Sequence, residues 1–191
     1  LLATNMLKNL SCEAEKLIPK LLEMRVCKVM VDQCLSPSGG VQIKRKCAAT
    51  LANLAAIPEI LEKGLAARES NVVAGIRAIA VARDAETLEY VATIAYYLSA
   101  HGHGRDELVF QEAVPVLASL CQGEDVPAKV RQLVIAALTH LSNDPIAHEA
   151  LTEFALPLVV ETMAGAVHAH SVRMNAMTLL CNLIVHYEPS R

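Results

Sequence analysis

Polar or aromatic side chains recur at nearly equal intervals along this chain, each directly before a leucine. They are Asn9, Asn53, Tyr97, His140 and Asn182, separated by 44, 44, 43 and 42 residues. An asparagine amide both donates and accepts hydrogen bonds, so it can hold the backbone of an extended peptide that has no sheet partner. Sites repeated in this way let many weak contacts add along one ligand. The alternative is that these side chains brace neighbouring turns within the protein itself.

Further polar side chains stand one or two helical turns before these positions. They are Arg45, Glu89, Thr93, Gln132 and Thr178. The run Lys44-Arg45-Lys46 is the one concentrated basic spot, and an acidic segment could dock there. A solvated helix start explains the same run, because charged stretches on helices usually face water.

The residue types needed for catalysis are present but scattered along the chain. We recognise no nucleophile beside a base, no paired carboxylates and no glycine-rich phosphate loop. Cys121 and Cys181 fall within predicted helices and away from the helix starts that would lower a thiol pKa. We therefore predict that the protein is not an enzyme and uses no cofactor.

All seven histidines follow residue 100, and His101, His103, His168 and His170 raise the question of a metal site. The first pair follows one predicted helix and the second pair precedes an equivalent one, so the pairs should lie at opposite edges. Zinc needs ligands that converge at about 2 Å. We interpret these residues as surface histidines and predict no metal site.

The overall composition is 53% hydrophobic, with no Trp and two Phe, so a core must consist of aliphatic side chains and Ala. The net charge of −3 argues against nucleic acid as the partner, because its binders need a basic face. The charge is uneven. Residues 1–50 hold eight basic against four acidic side chains, and residues 51–191 hold nine against sixteen. Such a field can orient a protein partner.

The six cysteines lie at 12, 27, 34, 47, 121 and 181, with no CxxC pair. We interpret them as reduced core residues, which places the protein in the cytoplasm or the nucleus. No apolar run approaches the ~20 residues of a membrane-spanning helix, so we predict no membrane insertion. The chain opens inside a helical pattern, and we expect it to be a fragment of a longer array.

The elements that position the recurring residues are helices, because apolar side chains follow helical spacing. The predicted helices are Glu13–Met24, Val26–Leu35, Val41–Ala56, Ile57–Ala67, Asn71–Val81, Ala85–Ala100, Arg105–Glu112, Ala113–Cys121, Pro127–Asn143, Ala155–Met163 and His170–Tyr187. Self-similarity at this period predicts stacked units that bury their apolar faces against one another. We divide the chain into the last helix of a partial unit (1–11) and units at 12–56, 57–100, 101–143 and 144–187.

Several segments carry a family resemblance. They are LKNLS (7–11), LANLAA (51–56), AVPVLASL (113–120), THLS (139–142), ALPLVVETM (155–163) and CNLI (181–184). The order of a short first helix, a second helix opening with A-[LV]-P and a third ending in L-x-[NH]-L resembles the armadillo repeat. HEAT repeats have a similar period but two helices per unit. The resemblance implies an all-α, right-handed α-solenoid with three helices per repeat.

In armadillo arrays the third helices line a concave groove. The resemblance therefore implies that Asn9, Asn53 and Asn182 form a ladder along that groove, with Tyr97 and His140 in the intervening rungs. In import adaptors of this family, tryptophans one turn earlier sandwich Lys and Arg side chains. The corresponding residues here are Asn5, Ala49, Thr93, Ala136 and Thr178, so the resemblance does not favour a basic localisation signal as ligand.

We interpret the chain as a non-enzymatic scaffold that binds a protein or peptide segment along the concave groove. One alternative is a structural segment of a larger assembly that packs through its edges and convex face. Another, less favoured, is a nuclear-import-type adaptor.

Overall fold

The computed structural model describes residues 17–123, 125–164 and 169–185, and all regular elements in these ranges are helices. The α-helices are α1 (Ile18–Glu23), α2 (Val26–Leu35), α3 (Val41–Ala55), α4 (Pro58–Ile60), α5 (Val72–Ala80), α6 (Ala85–Ala100), α7 (Gly102–Phe110), α8 (Val114–Leu120), α9 (Ala128–Leu141), α10 (His148–Ala150), α11 (Leu156–Ala164) and α12 (His170–Val185). Asn9 and the rest of the predicted partial unit lie outside the described residues.

The helices pack in layers that continue from one unit to the next. The third helices α3, α6, α9 and α12 lie side by side, and α2 packs against α5 in the same way. Ala48, Ala92, Ala137 and Ala176 are fully buried on the third helices, and small side chains let neighbouring helices approach closely. The result is one continuous apolar core from Leu21 to Leu183.

Helix α6 shows how local sequence fixes a third helix. Asp84 precedes it with an extended backbone, and its carboxylate accepts a hydrogen bond from the Thr87 N–H at 3.1 Å. Such an N-cap satisfies a donor that has no partner inside the helix. The bounds Ala85–Ala100 confirm the sequence-based prediction, as do the bounds of α2.

The predicted start of the helix at Arg105 is wrong, because α7 begins at Gly102 and includes His103 and Gly104. Two glycines suggested a break in the helix. At Gly104, however, a Cβ would lie 2.3 Å from the Leu98 carbonyl oxygen. The glycine permits a close approach between α7 and the end of α6.

The first helices are less regular than predicted. Instead of one helix over 57–67, α4 continues into a π-helical turn at Leu61–Leu65. A second π-helical turn, Leu151–Ala155, leads directly into α11. The apolar pattern gave no sign of these wider turns. It indicates which side chains are buried, but it does not indicate which carbonyl accepts the hydrogen bond from each backbone N–H.

Residues with left-handed backbone conformation precede α2, α5 and α8, which are the second helices of three units. They are Arg25 (φ 49°), Asn71 (φ 52°) and Glu112 (φ 53°). A fourth, Arg83 (φ 53°), lies between α5 and α6. This conformation costs a residue with a Cβ roughly 1–2 kcal/mol, and asparagine tolerates it better than most.

We expect Arg25→Gly to raise the free energy of unfolding by up to about 1 kcal/mol. The strain relieved is partly offset by roughly 0.5–1 kcal/mol of extra chain entropy in the unfolded glycine variant. The ion pair that is lost is minor, because Arg25 and Glu69 are 3.9 Å apart and both exposed. Urea unfolding should show a smaller gain for Asn71→Gly. Equal gains in both variants would contradict the explanation.

Candidate protein-binding face

Each third helix buries one side, while the residues of the opposite side range from buried to exposed. Leu54, Leu98, Leu141 and Leu183, which follow the recurring polar positions, are all buried. The third helices pack side by side. In each of them, the rung residue and the residues four and eight positions before it lie on the side away from the buried leucine. We call this surface the third-helix face. It consists of Arg45, Ala49, Asn53, Glu89, Thr93, Tyr97, Gln132, Ala136, His140, Met174, Thr178 and Asn182.

The structure places the predicted binding residues at or near the solvent-facing side of these helices. Glu89 and Thr178 are exposed. The half-buried members are Lys44, Arg45, Asn53, Thr93, Tyr97, Gln132, His140 and Asn182. Ala49 and Ala136 are buried, so the middle row is lined by small side chains. Longer polar side chains border this row of small side chains.

An aromatic cluster occupies the junction between α6 and α9. The Tyr96 and Tyr97 rings meet edge to face, with centroids 5.6 Å apart, and Tyr96 lies 5.7 Å from the His140 ring. All three side chains are half-buried. Sequence reasoning selected Tyr97 and His140 but not Tyr96, although an aromatic residue directly beside a rung was a usable signal.

Two rung residues form hydrogen bonds to the preceding unit. His140 Nδ1 lies 3.0 Å from Ser99 Oγ, and Asn182 Nδ2 donates to Ser142 Oγ at 2.8 Å. Each serine also donates to a carbonyl of its own helix, Ser99 to Tyr96 and Ser142 to Thr139. His140 and Asn182 therefore brace neighbouring units, which is the alternative role described for the rung residues. Both side chains are also partly exposed.

These bonds determine the histidine tautomer. A serine hydroxyl has one proton, and Ser99 donates its proton in the hydrogen bond to the Tyr96 carbonyl. We infer that His140 donates through Nδ1–H, which leaves Nε2 as an acceptor on the ring. Burial lowers the pKa of His140 below its ordinary value, and the nearby positive charge of Arg105 lowers it further. The neutral imidazole is therefore the form that fits this site.

We expect His140 to make the protein less stable as the pH falls. Above about 6.5, the ordinary histidine pKa, the residue is neutral in both folded and unfolded chains. Below it the unfolded chain takes up a proton that folded His140 resists, so stability is lost between 6.5 and the lower folded pKa. Thermal unfolding at pH 7.5 and 5.5 should show a larger decrease in Tm for the wild type than for His140→Asn. Asparagine retains the donor, as Asn182 does. Identical decreases would refute a role for His140.

The basic run at 44–46 forms contacts within the solenoid. Arg45 pairs with Asp84 at 3.1 Å and with Glu86 at 3.7 Å, and its side chain is 28% exposed. Hydrogen bonds from Thr87 and Arg45 lower the pKa of Asp84, although burial alone would raise it. Tyr90 donates to Glu86 at 2.7 Å, which raises the Tyr90 pKa to about 12. An acidic ligand segment would compete with these carboxylates for Arg45.

Other cations cross from one unit to the next. Lys44 Nζ donates to the Ala78 carbonyl at 3.5 Å, and Arg131 pairs with Glu161 at 2.9 Å. Arg83 reaches the Ser119 and Gln122 carbonyls at 2.9 and 3.0 Å. Arg131 on α9 thus links its unit to the following one, where Glu161 lies on α11.

Burial suppresses the reactivity of two thiols, whereas a hydrogen bond with Cys34 lowers the pKa of Cys47. Cys27, Cys34, Cys47, Cys121 and Cys181 are free. Burial raises the pKa of Cys27 and of Cys121 to about 12, so neither is a ready nucleophile. Cys121 lies directly after α8 and not within a helix as predicted, while Cys181 is exposed on α12.

The described part of the chain contains no group of three metal-binding side chains and no helix long and apolar enough to cross a bilayer. His168, one of the histidines weighed above, lies outside it.

Solved structures with the same architecture define the class of fold. A crystal structure of computationally designed armadillo repeat proteins for modular peptide recognition matches with a TM-score of 0.76 at 18% identity, covering 94% of this chain and 74% of that one. An engineered protein from a structural genomics consortium matches at 0.72 and 19%, covering 96% and 72%. A further designed armadillo repeat protein matches at 0.52 and 19%, covering 95% and 92%. No family model and no curated protein matches this sequence. The chain has the armadillo-repeat fold.

Proposed function

We propose that this protein is a non-enzymatic scaffold that binds an extended segment of a partner protein across the third-helix face. The observation that carries the proposal is the half-buried aromatic cluster at the junction of α6 and α9, where Tyr97 and His140 belong to that face and Tyr96 adjoins it. Aromatic side chains offer large contact area at low entropic cost, and tyrosine is enriched at binding hot spots.

The surroundings of the cluster suit an extended ligand. Thr93 lies one turn from Tyr97, and the small Ala136 lies one turn from His140, so a backbone can approach closely. Asn53 and Asn182 lie half-buried on the flanking helices α3 and α12. One structural relative was designed for modular peptide recognition, which supports a peptide as the class of ligand. The free thiols support the cytoplasm or the nucleus as the location.

Blocking the face should weaken binding without unfolding the protein. We would select peptides from a random display library with the wild-type chain and measure their affinity by fluorescence anisotropy. The blocking variant is Thr93→Arg with Thr178→Arg, since both hydroxyls only bond to the carbonyl one turn earlier. The expected result is at least a tenfold loss of affinity, about 1.4 kcal/mol.

Thr152→Arg is the matched control. Thr152 is exposed, makes the same bond to His148 and lies on a first-helix segment away from the third-helix face. It should bind the selected peptides as the wild type does. Undiminished binding by the blocking variant, with its melting temperature preserved, would refute the proposal.

A further inference from the structure

A second surface lies at the edge formed by the first helices of the last two units. A groove of about 790 Å³ opens between α7 and the segment from Asp144 to Phe154. We call it the first-helix groove. Its volume lies within the range of ligand-binding clefts, and it shares no residue with the third-helix face.

The apolar part of this groove is unusually exposed. Phe110 is 64% exposed, Ile146 is 80% exposed and Phe154 is 42% exposed. Phe110 and Phe154 are the only phenylalanines in the sequence. The rest of the apolar lining consists of Val109, Ala113, Val114, Pro115, Ala147 and Ala150. Large apolar side chains held together in solvent mark interaction sites more often than isolated ones do.

The rim of the groove is acidic. Its lining includes Asp106, Glu112, Asp144, Glu149 and Glu153. Among the ion pairs of the described residues, none involves these carboxylates. Asp144 accepts a hydrogen bond from the Ile146 N–H, which leaves its charge uncompensated. Arg68 is the one basic side chain in the lining.

Arg68 indicates which chemistry the groove recognises. Its guanidinium carbon lies 4.5 Å above the centre of the Phe110 ring, and its Nε is 3.9 Å from Glu107. An arginine is thus held by an aromatic face together with a carboxylate. The Phe154 side of the groove has a similar ring with Glu149 and Glu153 in the same lining but no arginine.

We propose that the first-helix groove binds a short segment of a partner protein in which arginines alternate with large apolar side chains. The apolar side chains would pack on Phe110, Ile146 and Phe154, while the guanidinium groups would meet the acidic rim. Charge complementarity selects this occupant, because the same rim repels nucleic acid and anionic lipid. The proposal is independent of binding at the third-helix face.

The probe is a fluorescent, terminally blocked peptide of six residues in which arginine and leucine alternate. Its affinity would be measured by anisotropy against the wild-type chain, beside arginine–serine and glutamate–leucine peptides of the same length. We expect the arginine–leucine peptide to bind at least tenfold more tightly than either of the other two. Equal binding of the arginine–serine peptide would mean attraction to charge alone and would overturn the proposal.

Substitutions locate the site. Phe110→Ser and Glu149→Lys should each weaken binding of the arginine–leucine peptide at least fivefold, and both positions are exposed, so folding should persist. Val81→Ser and Asp125→Lys are matched exposed changes outside the groove and should have less than a twofold effect. Similar losses in all four variants would overturn the assignment. So would sedimentation showing a dimer that Phe110→Ser dissociates, because the occupant would then be a second copy.

Discussion

Replacement of Gly104 by alanine is expected to lower the free energy of unfolding by about 3 kcal/mol, at the upper end of the usual cost of overpacking. The added Cβ would lie 2.3 Å from the Leu98 carbonyl oxygen and 2.9 Å from the Leu98 Cα. These are backbone atoms at the end of α6, so no side-chain rotation relieves the contact. Either α7 must move away from α6 or the last turn of α6 must deform.

Gly102→Ala is the control for this change. Gly102 lies in the same helix, only two residues earlier, and nothing lies within 4 Å of its added Cβ. Alanine there should be neutral or slightly stabilising, since it favours the helix by up to about 1 kcal/mol over glycine. Urea unfolding followed by circular dichroism compares the two variants. A Gly104→Ala protein as stable as Gly102→Ala would disprove the close approach.

Leu98→Ala should also cost about 3 kcal/mol, within the range measured for buried leucines. Leu98 is 0% exposed and belongs to α6, which packs between α3 and α9. Truncation leaves a cavity bordered by elements from more than one unit, so the core can collapse only partly around it. Units of a solenoid depend on their neighbours, and the loss should therefore be felt across the array.

The matched change is Leu35→Ala. Leu35 is 40% exposed at the end of α2, so little apolar surface leaves the core when it is shortened. We expect a loss below about 1 kcal/mol. The same denaturant series would test both leucines, and comparable destabilisation by the two would contradict the register that places Leu98 at the centre of the core.

The helices could be predicted from sequence wherever burial alone determined them. Helices α2 and α6 have alternating apolar and polar positions at helical spacing, and their bounds were predicted to the residue. The start of α7 was not, because a glycine that breaks a helix and one that permits close packing look the same in one sequence. The π-helical turn at Leu151–Ala155 was missed because it changes bonding without changing which side chains are apolar.

The register of the third-helix face was also accessible from sequence, since rungs before buried leucines must share one side of successive helices. Their individual bonding was not. A serine two residues after a rung forms a hydrogen bond with the rung residue of the following unit. Ser99 bonds to His140 in this way, and Ser142 bonds to Asn182. Ala55 occupies the position that precedes Tyr97, so no hydroxyl stands there to receive a bond. A single unit examined alone shows none of this.

Long-range charge pairing was the least predictable feature. Arg45 and Asp84 are far apart in sequence, and the run at 44–46 is indistinguishable from a solvated helix start until α3 and α6 are packed together. The groove at Phe110 and Phe154 was missed for the same reason. Its two phenylalanines belong to different units and to first helices, where the repeat pattern is weakest.

Binding at the third-helix face is tested most directly by mapping where a selected peptide binds, using amide chemical shifts of the labelled chain. The largest changes upon titration should fall on α6 and α9, at Thr93, Tyr97, Gln132 and His140, with smaller ones on α3 and α12. Changes concentrated on the second helices α2, α5, α8 and α11, with the third helices unaffected, would contradict binding at that face.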